Sequence, residues 1–227
     1  MRLKNLIIGD IRFQFKYGFY FIYILLTVIY IFIINALPEA WREKAATMMI
    51  FSDPAAIGLF FMGAIMLFEK SERVLDSIAV SPIKIEEYII SKVISLGLIS
   101  TVVGTIIALS ANIGNLFTVV LGVFLGSAFF TLLGLIIAAN TSSLNQFLAA
   151  TVPVELLCFL PPLFYMFGYD NPYMLIHPGC IIIRFIGSNS ENMVFLLIVF
   201  LVWIIAIYLF VHKNIERMFQ TVRGIKL

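Results

Sequence analysis

Charge is what this sequence has least of. Only 12% of its 227 residues are Asp, Glu, Lys or Arg, while 62% are hydrophobic, a balance outside that of soluble domains. Two cysteines, Cys158 and Cys180, are too few for a disulfide framework, and no Cys/His cluster has metal-ligand spacing. There is no G-x-x-x-x-G-K-[ST] loop and no polar stretch long enough for an ATPase domain, so nucleotide chemistry is not expected of this chain. A net charge of +2, without a basic block interleaved with aromatics, argues against nucleic acid as a partner. A Ser/His pair or His/Asp/Glu cluster at membrane depth is missing too, which weighs against an intramembrane enzyme. With no internal repeat and no low-complexity linker, residues 1–227 read as one domain.

What is present is long apolar sequence. Uninterrupted runs predict six membrane spans near 18–37, 47–68, 88–112, 116–139, 145–168 and 193–212. The second contains Asp53-Pro54, and residues 54–68 alone are too short to cross, so 47–53 are expected to complete it as a kinked outer turn. Lysines and arginines orient the spans. A cytoplasmic N-terminus puts Arg2, Lys4, Arg12, Lys16, Lys70, Arg73, Lys84, Lys92, Lys213, Arg217, Arg223 and Lys226 inside, against Arg42, Lys44 and Arg184 outside. Both termini and the 69–92 segment are therefore expected in the cytoplasm.

The N-terminal residues do not read as a cleavable signal, because a charged, aromatic leader precedes an apolar run too long for one. Instead Leu3, Leu6, Ile7, Ile11 and Phe15 fall near helical spacing, with Arg2, Lys4, Asp10, Arg12 and Lys16 elsewhere, which predicts an interfacial helix over 2–16. Beyond the fifth span, Tyr173–Ile176 and Cys180–Ile186 are apolar but too short to cross, and His177-Pro178-Gly179 breaks them apart. An outer re-entrant hairpin at 173–186, buried by protein, is expected.

The segment from Glu69 to Lys92 concentrates charge: Glu69, Lys70, Glu72, Arg73, Asp76, Lys84, Glu86, Glu87 and Lys92. Residues 69–80 predict about three helical turns, with Val74, Leu75 and Ile78 on one side and Lys70, Arg73 and Ser77 largely on another. Ser81-Pro82 ends the helix. Glu86 and Glu87 then open the next one, where the helix dipole favours anions, and Lys92 is placed to snorkel. Such a helix can dock in a groove on a soluble partner, or form a solvated hairpin.

Within the spans, Glu155 stands about ten residues into the fifth, bracketed by Pro153 and Pro161. A carboxyl at that depth either binds a cationic substrate group, couples to protons, or is satisfied by a neighbouring helix. Phe159, one turn on, shares its surroundings. Asp53 is either an N-cap with Pro54 at the first helical position, or a gating and access residue. Small residues at Gly97, Thr101, Gly104 and Ala108, and at Gly122, Gly126, Ser127 and Gly134, form stripes that suit close packing within the subunit.

These residues carry a family likeness. The arrangement of Glu69, Glu72, Ser81-Pro82, Tyr88 and Lys92 resembles the loop of ABC-2 type transporter permeases. The run from Arg12 to Tyr20, with Phe51-Ser52-Asp53-Pro54 and Gly58-Leu59-Phe60-Phe61, is similar to the branch named for fluoroquinolone export. That resemblance implies an all-α polytopic membrane protein with six transmembrane helices, an interfacial N-terminal helix, a cytoplasmic coupling helix at 70–80 and the outer hairpin. It further implies a prokaryotic cell-membrane exporter permease that is not itself an enzyme. The expected partners are separate ABC ATPase subunits, which would bind ATP-Mg, a second permease copy or paralogue, and membrane lipid. Glu69, Glu72, Arg73, Val74, Asp76 and Ile78 would couple to the ATPase, while Glu155, Asp53 and Phe159 would lie along the path of a drug-like or lipid-like cargo. A proton-coupled transporter or channel built on Glu155 is the competing expectation, although it leaves the amphipathic loop without a role and finds no inverted repeat.

Overall fold

In hydrocarbon every backbone N–H and C=O must be paired within the chain, so long apolar segments resolve into helices. The computed structural model describes residues 2–169, 171–187 and 192–222, and its regular elements there are all helical. Arg223 and Lys226 of the charge count lie outside the described residues. In chain order the elements are α1 (Arg2–Lys16), α2 (Phe19–Ala36), α3 (Glu39–Ile50), a π-helical turn (Phe51–Ala55), α4 (Ile57–Ser71) and α5 (Val74–Val80). They continue with α6 (Ile85–Ser110), α7 (Leu116–Ala139), α8 (Leu144–Met166), a 3-10 turn (Pro172–Ile176), α9 (Pro178–Ile186) and α10 (Met193–Val222).

Six of these units are long and apolar enough to cross a membrane: α2, the α3–α4 unit, α6, α7, α8 and α10. The protein is an all-α polytopic membrane protein. Up-and-down connectivity gives the bundle two ends. The terminal end carries α1, α5 and the last turns of α10, and the distal end carries α3 and α9.

Three local expectations need correction. The second span begins at Glu39 rather than near 47. Pro54 has no N–H to give and its ring displaces the preceding turn, and the π-helical turn absorbs that misfit without ending the helix. Asp53 accordingly sits inside this turn and caps nothing, and the first residue of α4 has no side-chain cap. The 70–80 helix is not continuous either, because α4 runs through Ser71 and Arg73 adopts a left-handed conformation, φ 56° and ψ 25°, before α5 starts. Gly18 makes the equivalent break between α1 and α2 at φ 78°, a conformation that costs glycine little.

Helix α7 is the hub, packed by α4, α6, α9 and α10. Small residues permit that crowding. A Cβ on Gly134 would lie 2.6 Å from the Leu59 carbonyl oxygen and 3.0 Å from Met62 Cβ, so α4 and α7 meet backbone to backbone. The small-residue stripe is therefore spent inside the subunit. By contrast α2, α8 and α10 present much apolar surface outward, as Phe32, Leu157 and Phe210 do.

At the distal end α9 is enclosed by protein, with Cys180, Ile181, Ile182 and Ile186 inaccessible. The preceding 3-10 turn is open, and Tyr173 and Ile176 are exposed. His177 is the N-cap of α9, its Nδ1 accepting the Gly179 N–H at 3.2 Å. Burial holds this imidazole below its ordinary value of 6.5. Protonation would convert the accepting nitrogen to a donor. The cap is thus intact above pH 6.5 and is lost as pH falls through the depressed folded value.

Two outcomes follow. Gly134→Ala meets backbone that cannot yield and should cost about 1–3 kcal/mol, lowering the melting temperature in detergent. Gly114→Ala, whose Cβ meets nothing within 4 Å, should leave it unchanged. Hydrogen exchange at the Gly179 amide, corrected for intrinsic chemistry, should lose protection on acidification below pH 6.5, and His177→Asn should keep the cap and flatten the pH response.

Candidate functional site

At the terminal end, three separate elements send ionised side chains to one buried point. Lys92 of α6, with 2% of its side chain accessible, pairs with Asp10 of α1 at 2.6 Å and with Glu69 of α4. The Tyr88 hydroxyl donates to the second oxygen of Glu69 at 2.7 Å. One turn along α6, the Gln14 amide donates to Ser95 Oγ at 3.1 Å, and both residues are inaccessible. Three charges at this depth persist because each has a partner. Taking one away would strand the others in a poor dielectric, a loss of about 3–5 kcal/mol for a buried pair.

The same end is secured by further ties. Lys70 reaches across to α7 and donates to the carbonyls of Ala138 at 2.6 Å and Thr141 at 2.7 Å, a cation on a helix C-terminus. Tyr17 donates to Glu72, and that bond to a carboxylate raises the phenol above its ordinary value. Arg2 reaches the Pro82 carbonyl at 2.9 Å. As a result α1 is fastened along its length to the hairpin that carries α5.

Helix α5 itself is short and one-sided. Leu75 and Ala79 are buried in a cluster with Met66, Tyr88, Ile215 and Phe219. Val74 and Ile78 are half-buried and line a cavity of about 480 Å³ between α1, α5 and α6. Glu72, Arg73, Asp76 and Ser77 are exposed, and Val80 has 81% of its surface open. Of the six residues expected to couple, Glu72, Arg73 and Asp76 face outward, Val74 and Ile78 sit at the rim, and Glu69 is withdrawn into the ion cluster. Lys92 does not snorkel; it is the centre of that cluster.

Asp10, Gln14, Tyr88 and Ser95 escaped the sequence reading as a group. Asp10 was assigned to the polar side of α1, yet Leu6, Asp10, Phe13, Gln14 and Tyr17 share the inward face while Phe15 is exposed and stacks on Tyr20. The i, i+4 spacing of Asp10 and Gln14 beside Phe13 was the available signal.

The structure does not gather Glu155, Asp53 and Phe159 into one polar site. Glu155 lies at the middle of α8, half-buried on the face shared with Thr151 and Cys158, and makes no hydrogen bond or ion pair among the described residues. Asp53 is half-buried within the π-helical turn. Phe159 packs in an aromatic cluster, its ring 5.0 Å from Phe51 and 5.8 Å from Phe130. Among the described residues no group of three or more His, Cys, Asp or Glu could hold a metal ion.

Six apolar helices, with a buried charge cluster at one end and a short amphipathic helix beside it, define a multi-pass membrane protein. The chain belongs to the fluoroquinolones export permease protein family, whose family model matches residues 1–220. Fluoroquinolones export permease proteins from two strains of Mycobacterium tuberculosis are each 29% identical over 154 residues, 66% of this chain. The match spans 65% of the length of each of those relatives.

Lys92→Met should lower stability by about 3–5 kcal/mol in a denaturant or thermal titration of the purified chain. Adding Asp10→Asn and Glu69→Gln should recover part of that loss by removing the stranded charges. A Lys92→Met chain that melts with the parent would contradict the ion-cluster account.

Proposed function

We propose that this chain is the membrane-spanning permease subunit of an ATP-driven exporter, moving a hydrophobic or amphipathic compound out of the cytoplasm or inner leaflet. Two permease units, a second copy or a paralogue, would work with two ATPase subunits that bind ATP-Mg. The chain itself would do no covalent chemistry. Its terminal end would face the cytoplasm of a prokaryotic cell, in keeping with the Lys/Arg bias. The names of the relatives make a fluoroquinolone-like drug one candidate cargo.

The observation that carries this reading is the mounting of α5. Its exposed edge of Glu72, Arg73 and Asp76 stands beside the Glu69–Lys92–Asp10 cluster, so a push on α5 bears at once on α1, α4 and α6. Closure of an ATPase dimer against that edge would tilt these helices together. The cargo path would then exchange inward for outward access. A flexible loop would dissipate the same push.

Glu155 favours a second reading. A carboxyl midway along α8, with no partner among the described residues, suits proton-coupled transport, and that reading predicts activity that survives ATP depletion but collapses with the proton gradient.

The test is transport by inverted vesicles containing the chain and a candidate ABC ATPase partner. Arg73→Gly relieves a left-handed backbone strain of roughly 1–2 kcal/mol, so it should preserve the fold while removing the charge. Arg73→Glu paired with Asp76→Lys should lower ATP-dependent transport about tenfold, equivalent to roughly 1.4 kcal/mol, at unchanged melting temperature. Transport indifferent to both changes and to ATP would reject the coupling reading in favour of the second. Glu155→Gln should alter cargo-stimulated ATP hydrolysis if α8 touches the cargo.

A further inference from the structure

Helix α2 leaves a groove of about 620 Å³ against α6. It is lined by Tyr20, Ile24 and Ile31 of α2 and by Leu98, Val102 and Ile106 of α6, and Ile11 of α1 borders it. Ile24 and Val102 are more than half exposed, so the groove opens outward. The buried polar side chains of its wall are already engaged. Tyr23 Oη lies 3.4 Å from Ser100 Oγ, and the Thr27 hydroxyl donates to the Tyr23 carbonyl at 2.6 Å. What remains for an occupant to touch is hydrocarbon. From Tyr20 to Ile31 the helix rises about 17 Å, roughly half of an apolar core about 30 Å thick. A partner helix crossing the membrane would overrun that length, whereas an acyl chain reaching in from one leaflet matches it.

Helix α1 lies at the end from which α2 starts. Lys4, Ile8, Ile11 and Phe15 recur on one side of it with Arg12 among them, and Phe15 stacks on Tyr20 with ring centroids 3.9 Å apart. Lys4, Arg12 and Lys16 are exposed. Lys4 and Arg12 make no hydrogen bond or ion pair among the described residues, and Lys16 stands over the Tyr17 ring at 5.2 Å. The acids that approach α1 are held on its inward side, where Asp10 pairs with Lys92 and Glu72 accepts from Tyr17. Asp10 is the one acid of α1, so the outward side of that helix is wholly cationic.

We infer that this corner is a binding site for one anionic phospholipid. Arg12 and Lys16, one helical turn apart, meet its phosphate head, and one of its acyl chains lies in the α2–α6 groove. Any lipid can wet an apolar groove; the unopposed cations beside this one give it a preference for negative charge. The bound chain also braces α2, which joins α1 through the left-handed Gly18 and buries little of its own surface.

Native mass spectrometry of the chain purified in dodecyl maltoside reads this directly. Offered equal amounts of phosphatidylglycerol and phosphatidylcholine with the same acyl chains, the protein should retain the first about tenfold more. Because the cations are exposed, the preference should shrink as salt is raised. Arg12→Gln with Lys16→Gln should abolish it at unchanged melting temperature. Val102→Trp, which fills the groove from an exposed position, should lower phosphatidylglycerol retention severalfold, again without a change in melting. Equal retention of the two lipids by the parent, a preference that survives the double variant, or retention untouched by Val102→Trp overturns the proposal. Retention of neither lipid, with a dimer in the spectrum that Val102→Trp dissolves, gives the groove to a second copy and overturns it too. The assay contains no ATPase and no cargo, so its outcome is independent of the exporter reading.

Discussion

Lys92 cannot exist in this fold alone. An ammonium with 2% of its side chain accessible would lose several kcal/mol of hydration, and Asp10 and Glu69 offset that loss, with the Tyr88 ring 5.1 Å away. Because the three groups come from α1, α4 and α6, satisfying one charge dictates where three helices stand. The direction of α1 along α6, the depth of the hairpin bearing α5, and the close registry of α4 with α6 follow from that requirement. Hydrophobic burial alone would not impose such register, since apolar surface in a membrane has no strong preference between a helix and lipid.

The remaining bundle is assembled by shape. Gly134 lets α4 lie against α7 with carbonyl oxygen close to Cα, and Gly122 and Gly126 make room for α9 and the π-helical turn. These contacts concentrate on α7 and leave α2, α8 and α10 with open apolar faces. The protein thus has a rigid interior and a periphery that faces lipid or another chain. Within that arrangement the two ends differ in character. One is clamped by buried charge, while the other encloses the apolar helix α9.

Much of the fold was legible beforehand because hydrophobic length is a one-dimensional signal. Leu116–Ala139 begins and ends where the apolar run does, α2, α6 and α8 differ by a few residues, and α10 continues from the expected end at 212 to Val222. The second span differed at its start, since the helix that the π-helical turn carries through Pro54 runs back to Glu39 rather than to about 47. The 69–92 segment was legible as a polar unit, but the sharing of labour within it was not. Glu69 and Glu72 look alike in sequence. One is buried against Lys92, and the other is exposed and bonded to Tyr17. Arg73 broke the helix by adopting a left-handed backbone that no local rule demands of arginine.

By itself the sequence determined the class of molecule, the number of membrane-length helices and the place where polar structure leaves the membrane. Length, hydropathy and Lys/Arg bias are properties of segments, and neighbours do not alter them. Only the tertiary structure decided that Asp10, Glu69 and Lys92 form one buried cluster, and that Glu155 finds no hydrogen-bond or ion-pair partner among the described residues. Those partners lie far apart along the chain, and Asp10 and Lys92 are 82 residues from one another. Which of many charged residues meet is set by helix packing, and packing depends on every element at once.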